Sequence, residues 1–180
     1  DADEDPWIDE GLSGYAEELV GYPEADPQAV PQFLENPHTS LTDWNFTDSA
    51  RYYGVTYLFM SYLAERYGHG LIGELVAQPR NGTASVDAAF AALDLPDRFV
   101  DVWQRWTVAN YASHDERYAY RALGDRRGVT FAVERLPLQS VTGAISGRWG
   151  TATVLFRTPG DLVIDFAGDD TGRYDVWVYA

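Results

Sequence analysis

Between residues 50 and 67 the chain carries apolar side chains on almost every side of a helical wheel, with no proline to interrupt it. Val55, Leu58, Phe59, Met60, Tyr62, Leu63 and Ala64 leave no broad polar face. A helix that is greasy all round must be covered on all sides, so this segment predicts a buried central helix with the others packed about it. Thr47-Asp48-Ser49 opens it and Gly68 stops it.

Helical spacing recurs on both sides of that segment. It predicts a helix from Trp7 to about Gly21, ended by Gly-Tyr-Pro, and a short one over 26–34. There Asp26 would be the N-cap and Pro27 the first helical residue. Further helices are predicted over 71–77, 85–93 and 98–111, the last carrying Phe99, Val102, Trp103, Trp106, Val108 and Ala109 at helical intervals. Trp103 and Trp106 read as core residues, not as a sugar platform. From about Asp115 the texture changes to short alternating runs over 128–134, 140–145, 151–156, 162–166 and 174–179, bounded by Gly, Pro or Asp. The expected fold class is therefore α+β. It has a helical subdomain over 1–114, an Arg-rich linker over 115–127, and a sandwich-like antiparallel β-module over 128–180, with further strands expected beyond Ala180.

The 180 residues suffice for one domain or two small ones, and 46% hydrophobic content excludes a largely disordered chain. The formal net charge is −15 and all 13 basic residues are Arg, a balance that opposes nucleic-acid binding. Cysteine is absent, so disulfides contribute nothing and the redox compartment is not legible. No apolar run approaches the roughly 20 residues of a membrane span. There is no P-loop, no dinucleotide-binding glycine fingerprint and no G-x-S-x-G elbow.

One stretch reads as chemistry: Trp7-Ile8-Asp9-Glu10-Gly11-Leu12-Ser13-Gly14-Tyr15-Ala16-Glu17. On a helix, Leu12, Tyr15, Ala16, Leu19 and Val20 share an apolar stripe. Glu10 points nearly the opposite way with Ser13, Gly14 and Glu17. Gly11 and Gly14 are poor helix formers, and two of them beside one carboxylate leave room for another backbone to come close. Taken alone, these residues read first as a solvated acidic helix start, where Asp9 and Glu10 suit the helix dipole.

The same residues resemble the glutamate helix of gluzincin zinc metallopeptidases, with its pattern close to W-x-N-E-G-hydrophobic-A-x-Y-x-E. That helix follows an H-E-x-x-H helix, which supplies two His ligands and the general base. The resemblance implies that Glu10 is the third zinc ligand, with Asp9 standing where the family more often has Asn. It extends loosely to about residue 112. The helix over 50–67 resembles the family's C-terminal helical subdomain, in which a tyrosine near a glycine donates to the oxyanion of the tetrahedral intermediate. Tyr53, just before Gly54, is the first candidate for that role and Tyr52 the second.

No H-E-x-x-H occurs in the 180 residues, and none of His38, His69 and His114 is followed by Glu or by a second His four positions on. Catalytic zinc needs three protein ligands and an open position. The resemblance therefore implies the C-terminal portion of a secreted, extracellular or cell-surface peptidase, inactive alone. Its His-bearing segment would lie upstream or on another chain, and its partner would be a peptide or protein substrate. Zn2+ is the implied cofactor of the intact enzyme. Ca2+ is a weaker expectation at the acidic runs over 1–6 and 165–172, which otherwise read as a frayed terminus and a hairpin turn. The alternative from a different class is a non-catalytic binding module for sugar or protein, with a helical scaffold and a binding β-sandwich.

Overall fold

The computed structural model describes residues 4–22, 26–112, 114–121, 131–133, 144–145, 147–157 and 161–179. Six helices precede two short strands: α1 (Pro6–Leu19), α2 (Ala29–Glu35), α3 (Ala50–Tyr67), α4 (His69–Ala77), α5 (Thr83–Ala92), α6 (Phe99–Ala109), β1 (Phe131–Val133) and β2 (Val154–Phe156). The expected helices are all present, with shifts at their ends. The short second helix starts three residues later than expected. Asp26 instead accepts a bond from the Gln28 N–H at 2.9 Å, closing a turn that contains Pro27.

α3 is the buried centre, as its all-round apolar pattern requires. Eleven of its residues are buried, among them Val55, Leu58, Phe59 and Leu63 at 0% exposure. Two glycines let neighbouring backbones reach it. A Cβ added to Gly54 would lie 2.1 Å from the Ala29 carbonyl oxygen, so the start of α2 rests directly on α3. A Cβ on Gly11 would lie 2.8 Å from Met60 Cγ and 3.0 Å from the Thr56 carbonyl oxygen, which brings α1 down on the same helix. The room expected beside Gly11 is therefore filled by α3 itself.

Around these crossings an aromatic cluster closes the core. Phe59 meets Trp7 at 5.9 Å and Trp106 at 5.4 Å between ring centroids, and Phe33 stacks on Trp106 at 5.7 Å. Trp106 is buried as expected, whereas Trp103 is half-buried and donates from its indole N–H to the Trp149 carbonyl at 3.2 Å. Trp149 takes a left-handed backbone (φ 59°), which a bulky residue seldom adopts. Its ring is held at 4.7 Å from Phe99 and 5.1 Å from Trp103, so side-chain packing overrides local preference there. Glu4, in the acidic run expected to fray, is held. Gly82 donates to Glu4 Oε1 at 2.8 Å, tying that segment to the start of α5.

Two expectations are overturned. The first is the α+β class with an antiparallel β-module: among the described residues the protein is mostly helical. β1 and β2, three residues each, pair in parallel, with Phe131 opposite Val154. Residues 162–166 and 174–179 form no strand. Their alternating side chains find no opposing sheet: Val163 is 85% exposed and Val178 76%. Residues 134–143 lie outside the described residues, so the run expected over 140–145 is seen only at 144–145, which are not in a strand. The second is the apolar stripe of α1. Trp7, Ile8, Gly11 and Tyr15 are buried, while Ala16 is exposed, Leu19 is 56% exposed and Val20 69%. The face is rotated because the glycine, the smallest residue on the wheel, is the one that docks on α3.

The glycine contacts give a paired prediction. Gly54→Ala must displace the start of α2 and should destabilise the fold by about 3 kcal/mol. Gly14→Ala, whose added Cβ would sit 3.5 Å from the Tyr57 ring in ordinary contact, should be neutral or stabilising by up to about 1 kcal/mol through helix propensity. Urea midpoints at unchanged slope distinguish the two.

Candidate active-site cleft

Because Gly11 seats α1 on α3, the next face of α1 is lifted off it and borders a cleft of about 520 Å3. Glu10, Ser13, Gly14, Glu17, Glu18 and Gly21 line its α1 wall. Ser49, Ala50, Tyr53 and Tyr57 line the wall at and beyond the start of α3, and Tyr22, Asp26 and Ala29 come from the connecting segment and α2. Glu10, Ser13, Gly14 and Glu17 thus share one face, as the helical wheel places them.

Glu10 is half-buried. Among the described residues it has no hydrogen-bond or ion-pair partner; the arginine ion pairs are Arg51–Asp48, Arg105–Asp97 and Arg117–Asp115. Tyr53 opens to the same cleft, 40% exposed, with its ring edge-on to Trp44 at 5.0 Å. Tyr52, one residue earlier, points 100° away round the helix. It is 8% exposed, packs against Trp44 at 5.9 Å, lies under the Arg51 guanidinium, and does not line the cleft. Of the two candidate tyrosines, the fold brings only Tyr53 to the cleft that holds Glu10.

The described residues do not by themselves fit a catalytic zinc ion. No cluster of three or more His, Cys, Asp or Glu capable of holding a metal occurs among them, and no histidine lines the cleft. Glu10 supplies one ligand of the three required. His69 begins α4 and is joined to the Tyr15 hydroxyl through Nδ1 at 2.9 Å, the two rings stacked at 6.2 Å. Burial pushes the Tyr15 phenol up, with the Glu18 and Glu65 charges adding to it. His38 is half-buried and His114 exposed. In the second acidic run, Asp169 already accepts from Thr171 N at 2.9 Å, Thr171 Oγ1 at 2.6 Å, Gly172 N at 2.8 Å and Tyr174 Oη at 2.6 Å. The Thr171 and Tyr174 hydroxyls hold its carboxyl well below the usual range.

Sequence reasoning passed over Tyr57, Glu18, Tyr22 and Asp26 as members of the cleft. Tyr57 was accessible in principle, since it lies four residues after Tyr53 and so on the same side of the helix. Tyr22 lies beyond the end of α1 and carries no such signal, and Asp26, expected as a helix N-cap, instead closes a turn with the Gln28 N–H.

No protein-family model, curated protein or solved structure matches this chain.

A second polar group sits apart from the cleft and reads as structural. Asp97 accepts from Tyr67 Oη at 2.7 Å and pairs with Arg105 at 2.6 Å. Burial acts to raise the Asp97 pKa, but the bonds from Tyr67 and Arg105 outweigh it and the carboxyl is held below its ordinary value. A carboxyl depressed by folding stabilises the native state above its unfolded pKa, and that contribution is lost as pH falls through the folded value. Asp97→Asn should therefore cost about 2 kcal/mol at pH 7. The gap from the parent protein should close as the pH is lowered through and below about 3.9, read from denaturation midpoints across that range.

Proposed function

We propose that this chain is the C-terminal, helical portion of a secreted zinc-dependent metallopeptidase of gluzincin type. The observation that carries the reading is the meeting of Glu10 and Tyr53 on one open cleft. The two residues come from separate helices, and the resemblance gives them complementary roles in one reaction. Glu10 is the metal-ligand position. Its lack of an arginine partner among the described residues leaves the carboxylate free for that use. Tyr53 presents a phenol, a hydrogen-bond donor of the kind that stabilises a developing oxyanion. The two imidazoles and the general base must come from an H-E-x-x-H segment that these 180 residues do not contain. Peptide-bond hydrolysis therefore belongs to the joined protein and not to this chain alone. The binding-module alternative relied on a β-sandwich, and the described residues do not form one.

Metal analysis of the protein as its source produces it tests the reading. One zinc per chain should be found, and Glu10→Gln should remove it while the helical content stays unchanged. A protein without zinc, or one whose zinc survives that substitution, overturns the assignment. In the zinc-loaded protein, Tyr53→Phe should lower kcat on a peptide substrate about 100-fold with KM little changed, the loss expected of one oxyanion donor. Tyr52→Phe should leave kcat within a few-fold of the parent, because Tyr52 does not line the cleft.

A further inference from the structure

The cleft is chemically one-sided. Its lining is mostly apolar and aromatic, with Gly14, Ala29 and Ala50 beside Tyr53 and Tyr57. Glu10, Glu17, Glu18 and Asp26 line it too, and among the described residues no Arg or His does, in a chain that has no Lys at all. Glu18 is held in place by the Tyr57 hydroxyl at 3.1 Å. Glu17, seven residues after Glu10, lies two helical turns along the same wall, about 10 Å away along the axis.

We infer that this groove takes peptides bearing arginine or lysine, with the cationic side chain seated at Glu17, Glu18 and Asp26. This deepens the peptidase reading and rests on it for the place of the scissile bond. The reasoning is charge complementarity on a mostly apolar lining. A guanidinium or ammonium there gains charge-assisted hydrogen bonds to the carboxylates and lies near tyrosine faces that attract cations. Its aliphatic stem covers the small apolar residues beneath. An acidic side chain in the same place would meet three carboxylates and, among the described residues, no counter-charge in the lining. An extended peptide advances about 3.3 Å per residue, so a chain laid along α1 places the basic residue about three positions from the group at Glu10. The inferred specificity is thus for a basic residue near, but not at, the cleaved bond.

The test is binding to this chain and needs no metal. The probe is a fluorescein-labelled eight-residue Ala/Gly peptide with one Arg-Arg pair, compared with the same peptide carrying citrulline, which keeps the shape and removes the charge. At about 0.15 M ionic strength, where long-range attraction to a net charge of −15 is largely screened, the arginine peptide should bind at least 10-fold more tightly by anisotropy. The triple variant Glu17→Gln, Glu18→Gln, Asp26→Asn should erase that difference. A second triple variant, Asp94→Asn, Asp161→Asn, Asp165→Asn, removes the same charge from exposed positions outside the cleft and should keep it. Equal binding of the two peptides, no binding of either, or equal loss in both triple variants overturns the inference. Zinc content reads the peptidase assignment separately: a protein with zinc and no arginine preference sinks only the specificity, and the reverse result sinks only the peptidase.

Discussion

Two missing Cβ atoms set the geometry on which the rest of the structure depends. At Gly54 the backbone of α2 touches α3, and at Gly11 α1 touches it through Thr56 and Met60. Helices normally pack 8–10 Å apart because side chains stand between them, and glycine at the contact lets backbones come closer. The Gly54 contact is the less tolerant, since its neighbours are backbone atoms of Ala29 and Val30, whereas at Gly11 the Met60 side chain has some freedom to shift. These contacts orient α1 as a rigid body, and orientation is what a site built from its next face requires.

That next face is Glu10, Ser13, Gly14 and Glu17. Glu10 is half-buried and, among the described residues, has neither a hydrogen-bond nor an ion-pair partner. Elsewhere the protein treats its charges differently. Asp97 is engaged by Tyr67 and Arg105, and Asp169 by its own loop. Against those examples, Glu10 has no partner among the described residues, and Tyr53 of α3 faces the same cleft.

The C-terminal third shows where periodicity misleads. Alternating apolar residues over 162–166 and 174–179 satisfy the local condition for a strand, but a strand is stabilised by its neighbours and not by its own sequence. Without a paired edge the apolar positions stay in solvent, as at Val163, Val176 and Val178. The parallel pairing of β1 with β2 joins segments more than 20 residues apart, a partnership that no turn signal marks.

Much of the helical part was legible because helix chemistry is local. The all-round apolar pattern of 50–67 marked the central helix, and the 100° step placed Glu10, Ser13, Gly14 and Glu17 on one face before any fold was known. It could not say which stripe of α1 would be buried, since a wheel ranks Leu19 above Gly11 by greasiness and knows nothing of a neighbouring backbone. Nor could it separate Tyr53 from Tyr52, two phenols on consecutive residues. Residue type and spacing alone determine where helices run and which side chains lie together on one of them. Which face meets the core, which tyrosine opens to the cleft and which strands find partners depend on contacts between residues far apart in the chain, and only the folded arrangement supplies those.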